Sequence, residues 1–374
     1  MGSTATTGAS PVSRTPTSLA ILTEIPQATP LPRMMYRIDA VPLPREGDLR
    51  LPMDVDVTFD RSVAGLPAGD YLVYVDTVDH SVRYAPLNPS GDGGVLLAYG
   101  EARGLPTALV GDPGSLRLTA DSANDDGIRY IYDLSIRDAW RVGPLCASST
   151  GVSPDGRWVF ARCGTEHDRL ALDVVSAESG RGFHIELPVR PRPTIDWLGR
   201  DSFIVAPLDV EGALRPCVVY LLDELMYCPR VLQGWETIEA DPRGRWLFLS
   251  ALPNTAITSF DCLEPGKQCP APVPLQEVDW DWIVWSPDGS MVAWTGYDRT
   301  NRTTTLGLFE APGWDPGRIL RKFSEDYLPW RWCPRADCII VQKNLAPRTF
   351  VRVDMNGAAL TLPYSQLIGV FNVP

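Results

Sequence analysis

Short apolar segments recur along the whole chain, separated by clusters of Pro, Gly, Asp and Ser. Runs such as Tyr71-Leu72-Val73-Tyr74, Trp158-Val159-Phe160, Phe203-Ile204-Val205, Trp246-Leu247-Phe248 and Cys338-Ile339-Ile340-Val341 have the length and the β-branched or aromatic content of strands. Few stretches keep the three-to-four spacing of an amphipathic helix for long, because 35 Pro and 31 Gly interrupt them. The pattern predicts an all-β protein of many short strands.

The strands are organised by a repeated turn. Val152-Ser153-Pro154-Asp155-Gly156-Arg157-Trp158 and Trp285-Ser286-Pro287-Asp288-Gly289-Ser290-Met291 are its clearest copies, and Ala240-Asp241-Pro242-Arg243-Gly244-Arg245-Trp246 is a third. In each, Pro presets φ and Gly takes the positive φ that reverses the chain into a hairpin. Weaker copies occur at Trp197-Leu198-Gly199-Arg200, Cys333-Pro334-Arg335-Ala336, Leu66-Pro67-Ala68-Gly69 and Asp112-Pro113-Gly114. With Leu198 standing for Pro in one copy, the markers fall at 67, 113, 154, 198, 242, 287 and 334, at intervals of 46, 41, 44, 44, 45 and 47. A period of this size holds one four-stranded propeller blade, so a single β-propeller of about seven blades is expected over residues 33–374, with six or eight as neighbouring counts. In the third unit the strands are placed at 157–163, 170–175 and 183–187, and 192–197 becomes the inner strand of the next blade. A strand from one terminus must complete a blade begun at the other. Residues 367–373 and 53–59 are the two donors considered.

These turns resemble the repeats of TolB-like propellers, which carry Trp-Ser-Pro-Asp-Gly followed by an apolar strand. Trp285-Ser286-Pro287-Asp288-Gly289 matches in full and Ser153-Pro154-Asp155-Gly156 matches without the Trp, while the other five are partial. The resemblance spans about residues 60 to 345. It implies a fold and says almost nothing about activity.

Eight cysteines supply an independent test. Sequential pairs straddle predicted turns: Cys146 and Cys163, Cys217 and Cys228, Cys262 and Cys269, Cys333 and Cys338. Residues facing each other across antiparallel strands lie close enough for a disulfide, so four local bridges and an oxidising, extracytoplasmic compartment are expected, whether periplasmic, cell-surface or secreted. No Cys-x2-Cys spacing points to zinc, and neither a metal nor a cofactor is expected.

A formal net charge of -12 argues against nucleic acid as partner. No run of 18 apolar residues spans a membrane. Residues 1–32, rich in Ser, Thr, Ala and Pro, read as a flexible tether that suits attachment to a membrane at the N-terminus, as in a lipoprotein. His80, His167 and His184 stand apart in sequence, and nucleophile-elbow and phosphate-loop motifs are lacking. Acidic residues precede several turns, including Asp196, Glu236, Glu239, Asp279, Asp281 and Asp326. Those of one parity would line the axial channel, with Asp196, Glu239 and Asp281 the candidates and Glu239 and Asp281 the weak catalytic pair. Seven of the twelve Trp fall in the sixth and seventh units. Packing between blades accounts for most of these. Trp282, Trp314, Trp330 and Trp332 are the candidates for a binding face, with Trp314 expected to be exposed. Together these features favour a non-catalytic binding or scaffold module that recognises a protein or a glycan through one propeller face. The alternatives are a propeller glycan hydrolase or lyase using channel carboxylates, and a structural component of a cell-surface assembly.

Overall fold

The computed structural model describes residues 35–374 apart from 39, 44–48, 54–56, 77, 89–92, 100–105, 112–114, 123–126, 147–148, 164–168, 199–200, 211–212, 252–253, 276–281 and 315–316. The expected tether, residues 1–32, lies outside the described residues.

Four strands precede the first blade: β1 (Met35–Arg37), β2 (Ala40–Leu43), β3 (Arg50–Pro52) and β4 (Val57–Phe59). Blade 1 then contributes β5 (Gly69–Asp76), β6 (Ser81–Pro86) and β7 (Gly94–Tyr99). Blade 2 is β8 (Pro106–Val110), β9 (Arg117–Asp121), β10 (Arg129–Asp133) and β11 (Asp138–Val142). Blade 3 is β12 (Ser149–Val152), β13 (Trp158–Arg162), β14 (Arg169–Ser176) and the first part of β15 (Gly182–Trp197). The end of β15 crosses over to become the inner strand of blade 4, beside β16 (Ser202–Val210), β17 (Ala213–Tyr220) and β18 (Leu225–Tyr227). Blade 5 is β19 (Thr237–Ala240), β20 (Trp246–Ala251), β21 (Asn254–Ser259) and β22 (Val273–Pro274). Blade 6 is β23 (Trp282–Trp285), β24 (Met291–Asp298), β25 (Thr303–Glu310) and β26 (Ile319–Phe323). Blade 7 is β27 (Tyr327–Trp332), β28 (Cys338–Lys343), β29 (Phe350–Asp354) and β30 (Ala359–Leu362). The last strand, β31 (Leu367–Val373), returns to pair with β5. The ring therefore has seven blades, one for each turn marker in the sequence.

The repeated turn works as its residues predict. The Gly156 N–H donates to the Ser153 carbonyl (2.8 Å) with Gly156 at φ +70°, and the Gly289 N–H donates to the Ser286 carbonyl (2.9 Å) with Gly289 at φ +65°. The Ser153 hydroxyl donates to Asp155 Oδ1 (2.6 Å) and accepts the Trp158 N–H (2.9 Å), and Ser286 repeats this with Asp288 (2.7 Å) and Met291 (2.9 Å). Ser thus ties the turn to the strand that follows, while Asp caps its N–H groups. In blade 7 Ala336 takes the left-handed conformation, φ +58°, at the place where the other copies use Gly.

The same turns join neighbouring blades. Arg117 of blade 2 donates to the Gly156 carbonyl (2.9 Å), Trp158 Nε1 donates to Asp201 of blade 4 (3.1 Å), and Arg245 of blade 5 bonds the Asp288 carbonyl. Trp332 Nε1 donates to the Val284 carbonyl of blade 6 (2.9 Å), and Arg335 pairs with Asp70 of blade 1 at 3.3 Å.

Closure uses the C-terminal donor. β31 lies antiparallel to β5 with Val370 opposite Leu72 and Val373 opposite Gly69. Phe371 stacks on Tyr71 at 5.4 Å, and the Asn372 amide donates to Asp70 (2.6 Å). Of the other donor, read at 53–59, residues 54–56 lie outside the described residues, and 57–59 sit at the opposite edge of the same blade, where β4 pairs with β7. This β4 is one strand of a belt. β4, β3, β2 and β1 add a fifth, outermost strand to blades 1, 2, 3 and 4 in turn, so the N-terminal segment runs around the rim against the order of the blades. Between belt strands, Ile38 enters the core of blades 3 and 4 and Leu49 enters that of blades 2 and 3, both buried. Burial of a side chain of this size contributes about 1.5–3 kcal/mol.

All eight cysteines are paired as the turns predict: Cys146–Cys163, Cys217–Cys228, Cys262–Cys269 and Cys333–Cys338, with Cα atoms 4.7, 4.2, 4.4 and 5.2 Å apart. Three close β-hairpins. The Cys262–Cys269 bridge instead closes a 3-10 turn, Phe260–Leu263, onto the coil before β22. No bridge links one blade to another, so closure of the ring rests on hydrogen bonding and packing alone.

Gly369 marks how tightly the closing strand is seated, because a Cβ there would stand 2.4 Å from Leu109 Cβ on the inner strand of blade 2. Gly369→Ala is expected to lower stability by about 1–3 kcal/mol through overpacking, seen as a lower urea midpoint. An unchanged midpoint would mean the seam between blades 1 and 2 is looser than this packing.

Candidate functional site

Inner strands are the one set of elements that every blade turns toward the axis, so chemistry gathered there comes from residues far apart in sequence. Asp196 ends the crossover strand β15 in blade 4, and its Oδ2 accepts the Ala240 N–H of blade 5 at 3.1 Å. The neighbouring residue of that strand, Glu239, faces the same space and feels the Asp196 charge. Burial raises the Asp196 carboxyl to about 6, opposed by the N–H bonds from Ala240 and Trp197. Burial first, then the Asp196 charge, raises Glu239 to about 8. Two channel-lining candidates thus form an acidic pair across the seam between blades 4 and 5, while Asp281 lies outside the described residues.

On another part of the ring, blades 7, 1 and 2 enclose a cavity of about 510 Å³. Its walls include Thr107 of blade 2, Gln366 beside the closing strand, and Trp330, Arg331, Gln342 and Arg348 of blade 7. Arg331 lies deep. Burial lowers its pKa, its guanidinium sits 5.6 Å from the Trp330 ring centre, and both terminal nitrogens reach the Leu109 carbonyl only at 3.5 Å. Such contacts are at the outer limit of a hydrogen bond. Trp330 is braced edge-on by Phe350 at 5.1 Å and is half-buried. Among the described residues that line the cavity none is acidic, and neither Arg331 nor Arg348 has a carboxylate partner.

The other tryptophans divide differently from expectation. Trp314 is 2% exposed and stands edge-on between Trp246 (5.5 Å) and Trp285 (5.8 Å), so it is a packing residue between blades 5 and 6 and presents no binding face. Its flanking Pro and Gly residues suggested an exposed loop, but the turn at φ +54° folds the indole inward. Trp332 is 3% exposed and committed to the Val284 carbonyl, which also removes it from a ligand face. Trp282 is 56% exposed on the inner strand of blade 6, and Trp330 opens onto the cavity. Arg331, Arg348 and Gln342 were not singled out from sequence. Trp330-Arg331-Trp332 was the available signal, but alternation alone does not show which face is open.

His184 is not alone: its Nδ1 lies 2.7 Å from Asp173 Oδ1, across the β14–β15 pair, and the second Asp173 oxygen accepts the Cys146 N–H at 3.0 Å. His80 packs edge-on against Tyr99, and His167 lies outside the described residues. Among the described residues two groups have metal-like spacing, Cys146, Cys163 and Asp173, and Cys333, Asp337 and Cys338; each contains a disulfide, whose sulfurs are not thiolate ligands. No helix among the described residues is long and apolar enough to cross a membrane.

No protein-family model matches the chain, and no curated protein matches it in sequence. Solved structures that share its fold include a functionally unknown protein from Desulfotomaculum acetoxidans, 13% identical with a TM-score of 0.51, covering 81% of this chain and 98% of that one. Weaker likenesses include a putative 6-phosphogluconolactonase from Bacteroides uniformis, 10% identical with a TM-score of 0.49, covering 81% and 98%. A third is the putative TolB from Agrobacterium tumefaciens, 15% identical with a TM-score of 0.41, covering 73% and 96%. TolB proteins are thus among the structural neighbours of this seven-bladed propeller, and at these identities the likeness is one of fold alone.

The acidic pair makes stability depend on pH in a definite direction. Glu239 titrates near 4.5 when unfolded and near 8 when folded. Between those values the folded chain keeps a proton the unfolded chain has lost, so stability falls as pH rises through the window. Glu239→Gln is expected to flatten that slope in urea unfolding measured from pH 4.5 to 8. An identical slope in parent and variant would remove Glu239 from the account.

Proposed function

We propose that the protein is an extracytoplasmic recognition module that holds a ligand in the cavity between blades 7, 1 and 2 without turning it over. The observation that carries this reading is the cavity itself: about 510 Å³, one aromatic wall and a few converging polar groups, set in a rigid ring. That is the size and make-up of a ligand pocket. Four disulfides, one each in blades 3, 4, 5 and 7, support an oxidising compartment, where such bonds persist. In this reading residues 1–32 tether the propeller, and the partner is a protein or a glycan presented to the cavity-bearing part of the ring. Trp330→Ala is expected to weaken capture of peptides or glycans on arrays by about tenfold or more, since a packed aromatic anchor carries ~2 kcal/mol or more of binding. The thermal transition of the variant should stay near that of the parent. Full capture by a folded Trp330→Ala protein would rule the cavity out as the recognition site.

A second reading, a glycan hydrolase or lyase, is favoured by one observation, the meeting of Asp196 and Glu239 at the seam between blades 4 and 5, where burial raises both carboxyls. A carboxyl kept protonated near neutral pH beside one that ionises earlier is the condition for an acid and base pair. Polysaccharide cleavage by the parent that disappears in Glu239→Gln would establish it. No cleavage across the panel would dismiss it.

A further inference from the structure

Among the described residues Arg331, like the buried Arg215, has no carboxylate partner, and of the two only Arg331 lines the cavity. Arg117 and Arg129, the buried arginines of blade 2, each have a carboxylate: Asp133 at 3.0 Å and Asp121 in direct contact. Among the described residues Arg331 meets only the face of Trp330 and, at 3.5 Å from two nitrogens, one carbonyl. Taking a guanidinium out of water without a counter-charge is costly, and an indole face returns only ~0.5–2 kcal/mol of that. Arg348, exposed at the rim, adds a second positive charge to the same cavity in a chain whose net charge is -12. Thr107, Gln342 and Gln366 offer neutral hydrogen bonds around them.

We infer that this cavity is a site for a carboxylate-bearing organic anion, received by the Arg331 guanidinium, with Arg348 closing over the charge and Trp330 forming the flat apolar wall. The inference rests on the recognition reading above and names its ligand class. A guanidinium fork matches a planar carboxylate with two parallel N–H···O bonds, and the weak approaches to Leu109 leave those donors available. The Trp330 ring then accepts the body of the ligand, an aromatic or sugar ring attached to the acid, and the cavity has room for both.

The test is an NMR titration of the full chain labelled with 15N-arginine, with the Arg331 Nε–Hε signal assigned by its loss in Arg331→Lys. The probes are benzoate and D-glucuronate, their uncharged counterparts benzamide and D-glucose, and inorganic phosphate. At least one carboxylate should move the Arg331 signal saturably, with a dissociation constant tenfold or more below that of its uncharged counterpart. Arg331→Gln, shown to be folded by its thermal transition, should abolish the shift that the same probe causes at the Arg348 signal, and Arg348→Gln should weaken binding read at Arg331 severalfold. Equal responses to acid and uncharged counterpart, a response to phosphate alone, or no response at all would each overturn the assignment. If the carboxylates fail while Trp330→Ala still loses its array ligand, the recognition reading stands and only the ligand class falls. If the carboxylates bind while Trp330→Ala captures normally, the anion site is real and recognition lies elsewhere on the ring.

Discussion

Every blade of a propeller is stabilised by two neighbours, and the arrangement holds only if a strand from the end of the chain joins the sheet of the first blade. Here that condition is met by β31 against β5, reinforced by Phe371 on Tyr71 and by Asn372 with Asp70. No disulfide shares the task, because each bridge is confined to a single blade. The bridges constrain local loops in the unfolded chain. The ring itself is held by backbone pairing at one seam and by side chains passed between blades, such as Arg117 to Gly156 and Trp158 to Asp201.

The cavity sits at that seam. Gln366, Leu367 and Ile368 line it together with Thr107 from near the start of the ring and Trp330 and Arg331 from near its end. Its walls therefore exist only once the ring has closed, and any change that loosens β31 disturbs the polar groups facing the ligand. The acidic pair is less exposed to this dependence. Asp196 and Glu239 meet between blades 4 and 5, which are consecutive in the chain and whose inner strands are joined by the Ala240 N–H bond.

The blades were legible because each carries its own local signal. Pro and Gly at a fixed offset, followed by an alternating apolar strand, mark a hairpin whatever surrounds it, and the hydroxyl of Ser153 or Ser286 makes the turn self-sufficient. The disulfides were legible for the same reason, since each partner is the nearest cysteine in the chain. The belt was not. Its strands are three or four residues long, and they are strands only because an outer edge is waiting for them. The site was half legible. Glu239 and Asp196 follow from the rule that inner strands precede the turn, and Trp330 from aromatic density. Arg331 and Arg348 gain meaning only from Thr107, more than two hundred residues before them, and from Gln366, 35 and 18 residues after them, and Trp314 misled because a polar, turn-rich neighbourhood was taken to mean an exposed side chain.

The belt also imposes an order on assembly. β4 can pair only after residues 94–99 have been made, β3 after 138–142, β2 after 182–185 and β1 after 225–227. The segment synthesised first is thus laced down from its far end backwards, one rim position for each blade that emerges. Until the fourth blade is complete, its leading residues have no place to bind. A growing chain of this design holds β1 unpaired until residues 225–227 have been made, and its outer edges are covered in the same sequence in which they become exposed.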